Sequence, residues 1–392
     1  MIVRFERWGA WARLESMPAI VALDRDGVRA LGLDGGDAWN DDAPRTPPLE
    51  VHVAVTSRCA AGCEGCYLDA TPDGVEPPVA ELDATFAALA DAGVFTIAFG
   101  GGEPTLRDDL DVLAEAARAR GLVPVVTTSG LGVGDKKIAR LRAFAQVNVS
   151  YDGAGDDYAS VRGYDGAAAA ESAIVKLVAA GITVGVNVVL TQATFPRVRE
   201  TVRRAIALGA TEVQLLRYKP QGRARTLDYL TKRLTPDQAA SLGQVLRDLT
   251  EEHEGRAHLR IDCALVPFFS ADPEIASHPE LLERWGVLGC EAGQLLASTR
   301  VDGRMAPCSF TAPTALHATS IATGWASESG FAPFRDYVAR PSEPCASCTL
   351  RPVCKGGCKV VSEHAGEGLG PDPECPRVRV HRAGRAKDGA PS

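Results

Sequence analysis

The stretch Arg58-Cys59-Ala60-Ala61-Gly62-Cys63-Glu64-Gly65-Cys66-Tyr67 places three cysteines close together, directly after an apolar, β-like run. A tetrahedral zinc ion or a cubane iron–sulfur cluster normally takes four protein ligands, so three thiolates in one loop leave one metal corner open. The loop therefore predicts a metal centre with one position free for another molecule.

The composition limits the class of protein. The chain has 392 residues, of which 45% are hydrophobic and 11 are cysteine, and its net charge is −8. This length allows two or three domains, and no segment resembles a signal peptide or a membrane span. We predict a cytoplasmic protein, where reduced thiols point to metal instead of disulfides. The lack of a span-length segment predicts that no membrane is a partner, and the acidic balance predicts that nucleic acid is not one.

The pattern between residue 50 and about residue 265 alternates β-branched runs with alanine-rich helical stretches, as parallel βαβ units do. Six units and a last strand predict an α/β fold with a partial (β/α)6 barrel similar to a TIM barrel, in which the strand ends share one face. The predicted strands are Glu50–Thr56, Thr96–Phe99, Val123–Thr128, Gln146–Tyr151, Thr183–Leu190, Glu212–Tyr218 and Leu259–Cys263. The predicted helices lie near 78–92, 108–120, 136–144, 167–180, 196–209 and 235–253.

Changes in composition divide the chain into five predicted segments. Before the barrel, Ala19–Leu23 and Val28–Leu31 are predicted strands around an Asp-Arg-Asp-Gly turn. After about residue 285, Cys, Gly and Pro predominate, which favours a small domain organised by metal. The segments are a β extension with a linker (1–48), the barrel (49–265), a bridging segment (266–289), a cysteine-rich cluster domain (290–376) and a flexible tail (377–392).

The spacing of the first three cysteines, with aromatic Tyr67 next, resembles the signature of the radical S-adenosylmethionine (SAM) superfamily. The resemblance implies that Cys59, Cys63 and Cys66 bind a [4Fe–4S] cluster whose fourth iron is chelated by SAM. It also implies that one electron from the cluster cleaves SAM to a 5′-deoxyadenosyl radical, which abstracts a hydrogen atom from the substrate. The alternative is a zinc knuckle that takes a distant fourth ligand.

The same resemblance places SAM-binding residues at the ends of successive strands. A Gly-Gly-Glu motif would face the SAM amino group, and the fourth strand end would contact the ribose or carboxylate. A surface turn is the alternative role for Ser150 and Arg162, and core packing is the alternative for Asn187 and Leu216. The implied set is Tyr67, Gly101, Gly102, Glu103, Thr128, Ser129, Ser150, Asp152, Arg162, Asn187 and Leu216.

Seven further cysteines resemble the SPASM extension, which carries auxiliary clusters in radical SAM enzymes that mostly modify ribosomally made peptides. The resemblance implies two auxiliary [4Fe–4S] clusters, although seven thiolates leave one inner iron open or dependent on a ligand from elsewhere. A zinc ribbon is the alternative for the compact quartet. The implied outer ligands are Cys345, Cys348, Cys354 and Cys375, and the implied inner ligands are Cys290, Cys308 and Cys358.

Cys263 ends the last predicted strand and belongs to neither set. Three roles are open to it. It could pack as an apolar-like thiol, serve as the missing ligand of the inner cluster, or act as a catalytic residue that donates a hydrogen atom to a substrate radical.

The resemblance implies an enzyme that acts on a ribosomally made peptide by crosslinking, thioether formation, oxidation or epimerisation. The alternatives are a small-molecule substrate, such as an antibiotic sugar, and a non-catalytic iron–sulfur or zinc protein. Arg217, Tyr218 and Arg223 offer charged and aromatic groups for an acidic or peptide substrate, unless they belong to a plain loop. The implied partners are an electron donor such as flavodoxin or ferredoxin and, because the N-terminal extension is short, a separate precursor-peptide recognition protein, unless the β extension itself recognises the peptide.

Overall fold

The N-terminal residues form a small antiparallel sheet of their own. The structure is a computed structural model that describes residues 1–14, 19–226 and 228–387. The predicted strand over Val28–Leu31 is wrong, because Asp24 accepts a hydrogen bond from the Gly27 backbone N–H and caps a helix there. The elements, with the strands paired in this order, are β1 (Ile2–Glu6), β2 (Gly9–Leu14), β3 (Ala19–Asp24) and α1 (Arg25–Ala30).

A nine-stranded sheet forms the body of the protein. Its strands are β4 (Glu50–Thr56), β5 (Thr96–Gly101), β6 (Val123–Thr128), β7 (Gln146–Ser150), β8 (Val184–Leu190), β9 (Glu212–Arg217), β10 (His258–Ile261), β11 (Leu296–Thr299) and β12 (Met305–Ala306). Strands β4 to β10 pair in parallel and in sequence order. The predicted parallel α/β architecture is confirmed, and each of the seven predicted strands lies within two residues of its observed bounds.

Helices connect the strands and cover one face of the sheet. Helix α3 (Leu110–Ala119) shows why, because it buries Leu110, Leu113, Ala114 and Ala117, which repeat at helical spacing. The remaining helices are α2 (Val79–Asp91), α3 (Leu110–Ala119), α4 (Asp135–Leu141), α5 (Asp156–Arg162), α6 (Ala167–Ala179), α7 (Val198–Ala207), α8 (Asp228–Lys232), α9 (Pro236–His253), α10 (Pro273–Ser277), α11 (Glu280–Arg284), α12 (Ile321–Gly324), α13 (Ala332–Ala339), α14 (Arg351–Cys354), α15 (Lys359–His364) and α16 (Pro376–Lys387).

The other face of the sheet is lined by partly exposed polar groups. On β7, Val147 and Val149 are fully buried, whereas Asn148 is only half-buried. The side-chain amide of Gln146 donates to Asn148 Oδ1 at 2.8 Å and to Glu212 Oε1 on β9 at 3.0 Å. Because successive side chains of a strand point to opposite faces, the helices cover the apolar set and the polar set lines the barrel interior.

The cysteine-rich segment is attached to the barrel sheet. Strand β11 pairs in parallel with β4, placing Leu296–Thr299 opposite Glu50–Val53. His52 Nδ1 lies 2.8 Å from Ser309 Oγ, one residue after Cys308. The sheet therefore continues from the barrel into the C-terminal segment.

The predicted flexible tail needs correction as far as residue 387. Helix α16 covers Pro376–Lys387, and Val378 on it is 2% exposed. The helix packs against α9 and against a 3-10 helix at Cys263–Ala271, and this burial accounts for its order. Residues 388–392 lie outside the described part. Within that part, no helix combines the length and apolar character needed to cross a membrane.

Candidate metal and cofactor site

The loop after β4 carries the first three cysteines and is held by backbone contacts. The Cys59 N–H donates to Thr71 O at 2.8 Å. Arg223 donates from Nε to Cys63 O at 2.9 Å and from its backbone N–H to Cys66 O at 3.0 Å. The segment after β9 therefore fixes the loop on the carboxyl ends of the strands.

Cys63 and Cys66 lie close enough to Cys59 to affect its pKa. The pKa of Cys59 is raised chiefly by burial, and the negative charges of Glu103, Cys63 and Cys66 raise it further. The Tyr164 hydroxyl lies 3.9 Å from Cys63 Sγ, a neighbour that sequence reasoning missed because it is 101 residues away. Three half-buried thiols gathered on one fixed loop fit three corners of a cubane cluster.

Two glycines of the predicted SAM motif pack against the cluster loop. Gly101 has φ +115°, and a Cβ there would lie 2.0 Å from Thr56 O. A Cβ on Gly102 would lie 2.0 Å from Arg58 O, and the Glu103 N–H donates to the same oxygen at 2.8 Å. The glycines therefore allow the end of β5 and the cluster loop to approach each other closely, a role distinct from the expected approach to a ligand.

The Glu103 carboxylate is buried and joins the ends of β5 and β6. Its Oε1 accepts from Thr128 Oγ1 at 2.8 Å and from the N–H and hydroxyl of Thr105 at 3.1 and 2.7 Å. Its Oε2 accepts from the N–H and hydroxyl of Ser129 at 2.7 and 2.6 Å. A carboxylate offers about four lone-pair sites, so these five donors already occupy Glu103. Thr128 and Ser129, both predicted for the SAM site, are its partners.

Asp152 and Arg162 form a pair beside the cluster loop. Asp152 is fully buried, and its Oδ2 lies 2.6 Å from Arg162 Nε while its Oδ1 accepts from the Val189 N–H at 2.7 Å. Burial alone would lower the pKa of Arg162, but the charges of Asp152 and its other neighbours, Cys63 among them, raise it. The Glu64 N–H in the cluster loop donates to Arg162 O at 3.1 Å. A cation with a fixed orientation therefore stands next to the three thiols.

The remaining predicted SAM residues lie nearby. Ser150 and Asn187 are register partners on β7 and β8, and Leu216 is on β9. All three are half-buried. The Tyr67 ring lies 4.5 Å from the Phe310 ring, and burial raises the pKa of Tyr67 to about 12. The cluster loop thus contacts the C-terminal segment through Tyr67.

The four cysteines predicted as outer ligands line one small cavity, together with Pro267, Ser270 and their neighbours. Burial raises the pKa of Cys354, and the charges of Cys375, Cys345 and Cys348 contribute to the increase. A cavity with four thiols around it fits a cubane with full protein ligation.

Two of the three cysteines predicted as inner ligands share one apolar cluster, because Cys308 packs against a cluster that contains Cys358. The pKa of Cys290 is raised to about 12, first by burial and then by the charges of Cys308 and Cys358. Among the described residues, no three His, Cys, Asp or Glu side chains are placed to hold a single metal ion. Cubane ligands bind separate irons and stand farther apart than the ligands of one ion.

Arg217 and Arg223 have internal partners in place of the expected substrate. Arg217 Nη1 lies 2.6 Å from Asp372 Oδ2, and its Nη2 lies 2.8 Å from Glu374 Oε2. Arg223 holds the cluster loop. Tyr218, between them in the chain, is buried. A structural role therefore suits these residues better than substrate binding.

Comparison with known proteins adds sequence relatives. Residues 53–205 match the model of the Radical SAM superfamily. The "PqqA peptide cyclase" of Rhizobium meliloti (strain 1021) is 26% identical over 345 residues, which cover 84% of this chain and 88% of the relative. The protein of the same name from Xanthomonas campestris pv. campestris (strain 8004) is 26% identical over 361 residues, which cover 87% of this chain and 90% of the relative.

Solved structures share the fold. SuiB of Streptococcus suis bound to precursor peptide SuiA has a TM-score of 0.74 at 18% identity, covering 95% of this chain and 98% of SuiB. Native anSMEcpe with bound AdoMet and Cp18Cys peptide has a TM-score of 0.62 at 17% identity, covering 88% of this chain and 99% of anSMEcpe. With the cysteine loop and its parallel sheet, the family match leads to one conclusion: residues 53–205 form a radical SAM domain, and the chain is an enzyme.

Proposed function

We propose that this enzyme abstracts a hydrogen atom from a ribosomally made peptide and thereby crosslinks, oxidises or epimerises it or forms a thioether. The observation that carries the proposal is the fixed loop of Cys59, Cys63 and Cys66 beside Arg162, at the strand ends of an open polar barrel. The relatives named as peptide cyclases support a peptide as the substrate. Residues that match the SAM motif surround this loop.

The protein's own groups bind and orient the reactants. When bound, a [4Fe–4S] cluster supplies the electron that cleaves SAM into methionine and a 5′-deoxyadenosyl radical. Cys59, Cys63 and Cys66 would hold that cluster. Arg162 would bind the SAM carboxylate with its terminal nitrogens, because Nε is already engaged by Asp152. Ser150, Asn187 and Leu216 would line the ribose and adenine.

The first test is SAM cleavage by the complete chain. After anaerobic reconstitution with iron and sulfide and reduction by dithionite, we expect 5′-deoxyadenosine and methionine in equal amounts. The variant with Cys59, Cys63 and Cys66 all replaced by alanine is the control, and it should form neither product. A reconstituted wild-type chain that leaves SAM intact would favour the non-catalytic alternative.

The second test concerns the substrate. A short peptide encoded beside the gene, deuterated at its side-chain carbons, should transfer deuterium to 5′-deoxyadenosine, and the product mass should identify the modification. If deuterium is transferred from a deuterated sugar and none from the peptide, the radical chemistry stands and the substrate is a small molecule instead of a peptide.

Asp152→Asn tests how Arg162 is positioned. The amide can no longer balance the guanidinium charge, so we expect SAM affinity to fall about tenfold through loss of a charge-assisted hydrogen bond of about 1.5 kcal/mol. Equilibrium binding of SAM to the reconstituted enzyme measures this change. Asp156→Asn, at an exposed site on α5, is the matched control and should bind SAM normally. Equal SAM affinity in the two variants would show that Asp152 does not contribute to SAM binding.

We also propose two auxiliary [4Fe–4S] clusters, one in the cavity of Cys345, Cys348, Cys354 and Cys375 and one at Cys290, Cys308 and Cys358. A reductant such as flavodoxin or ferredoxin and a separate peptide-recognition protein complete the proposed system. Roughly twelve irons per chain, four for each of three cubanes, is the expected content after reconstitution. About four irons with zinc in the remainder would retain the first site and leave the C-terminal cysteines as a structural zinc site.

A further inference from the structure

We propose that Cys263 is the fourth thiolate ligand of the inner auxiliary site, beside Cys290, Cys308 and Cys358. The inference rests on the auxiliary clusters proposed above. The chain's 11 cysteines then divide into three for the SAM site and four for each auxiliary site, with none left over. Four separate segments of the chain bring these thiols together.

One ion pair holds the Cys263 and Cys358 segments. Arg217 Nη1 donates to the carbonyl of Ala264, the residue after Cys263, at 2.8 Å. The same nitrogen lies 2.6 Å from Asp372 Oδ2, which also accepts from the Cys358 backbone N–H at 3.1 Å. Because Arg217 and Asp372 are buried, this bridge fixes the start of the 3-10 helix against the Cys358 loop.

The Cys290 segment packs on the residues just before Cys358. A Cβ on Gly289 would lie 2.0 Å from Val353 O, so the two backbones are in direct contact. On the other side of Cys290, Glu291 forms an ion pair with Lys355. Both neighbours of Cys290 are therefore attached to the segment that leads to Cys358.

Cys308 completes the group. The Gly293 N–H donates to Pro307 O at 3.1 Å and ties the residue before Cys308 to the Cys290 segment. Cys308 also packs against a buried apolar cluster that contains both Ala264 and Cys358. These contacts converge on one place at the carboxyl end of β10.

Cys263 itself is directed by its neighbour Asp262. Its Sγ lies 3.4 Å from Asp262 Oδ1, and Lys219 Nζ lies 2.5 Å from Asp262 Oδ2. The pKa of Cys263 is raised by burial first, then by Asp262, and further by the charges of Cys290 and Cys358. Those two thiols are thus within its electrostatic reach. Ligation forms one iron–sulfur bond as the thiol releases its proton to solvent, with no oxidation or reduction.

The test is the iron content and spectrum of Cys263→Ala after anaerobic reconstitution of the full chain. We expect a loss of about one to four of roughly twelve irons and a three-iron cluster signal in the electron paramagnetic resonance spectrum of the oxidised protein. Cys290→Ala should give the same change. Val266→Ala, at a fully buried position of the same 3-10 helix, removes packing alone and should keep the wild-type iron and spectrum.

Two further variants address folding. Cys263→Ser nearly preserves the shape of the side chain and should retain the wild-type circular dichroism, while Cys263→Asp offers a carboxylate ligand and should recover part of the lost iron. Wild-type iron and an unchanged spectrum in Cys263→Ala would overturn the proposal, and lost turnover with intact iron would make Cys263 a hydrogen-atom donor. A wild-type chain with only about four irons would instead refute the auxiliary clusters. None of the iron readouts depends on SAM cleavage.

Discussion

Replacing Arg217 with methionine is expected to lower the free energy of unfolding by about 3–5 kcal/mol, because it leaves two buried carboxylates without their main counter-ion. The Arg217 side chain is 3% exposed and pairs with Asp372 and Glu374, which are 0% and 4% exposed. It also lies 4.7 Å from the centre of the Phe268 ring. Anaerobic guanidinium titration, followed by circular dichroism, measures the loss.

The same substitution should release iron from the auxiliary sites. Asp372 accepts from the backbone N–H of Cys358, and Glu374 directly precedes Cys375, so Arg217 fixes residues at both sites. We expect fewer than twelve irons per chain, with those of the first site retained. A stable Arg217→Met protein with full iron would show that packing alone holds the C-terminal segment on the barrel.

The loss of stability in Arg217→Met should depend on pH. Burial alone raises the pKa of Glu374, and Arg217, Arg233 and Tyr229 together lower it below the ordinary value of 4.5. Without Arg217 the carboxylate takes up a proton more readily, so its ionised form destabilises the variant mainly at neutral pH. The difference in the free energy of unfolding between wild type and Arg217→Met should therefore shrink as the pH falls from about 7 towards 4.5. Removing the partly exposed partner in Arg233→Met is the control, with an expected cost of about 1 kcal/mol or less.

The barrel could be predicted because its signal is local. Buried β-branched runs alternate with amphipathic helices, and each strand can be located from its own residues. The cysteine loop could be predicted for the same reason, since Cys59, Cys63 and Cys66 lie in one short stretch. The predicted strand over Val28–Leu31 is wrong because Asp24 caps the start of a helix, and an aspartate before a glycine is equally typical of a turn.

The features that the sequence does not predict depend on contacts between distant parts of the chain. The pairing of β11 with β4 joins residues more than two hundred positions apart, and a four-residue strand carries too little pattern to reveal its partner. The internal roles of Arg217 and Arg223 likewise depend on partners about 150 to 160 positions away. A charged residue after a strand looks the same in the sequence whether it meets a substrate or a buried carboxylate.

Replacing Glu103 with alanine is expected to cost about 3–5 kcal/mol of stability and to weaken SAM binding at least tenfold. The change leaves the N–H groups of Thr105 and Ser129 without an acceptor, and each buried donor left unpaired costs about 1–3 kcal/mol. The hydroxyls of Thr105, Thr128 and Ser129 can rotate towards other acceptors and add less. The ends of β5 and β6 would then separate beside the cluster loop. Denaturant titration and equilibrium SAM binding, performed on the same preparations, measure the two effects.

Glu103→Gln distinguishes a positioning role from direct contact with SAM. The amide oxygen can still accept from Thr105 and Thr128, but the amide nitrogen faces the Ser129 N–H and loses that bond, which should cost about 1–2 kcal/mol. If Glu103 acts by positioning, stability and SAM affinity should fall together in the order wild type, glutamine, alanine. Glu115→Ala, on the exposed side of α3, should change neither. Lost affinity at unchanged stability in both Glu103 variants would mean that the carboxylate binds the SAM ammonium directly, and that its five donors give way when SAM is present.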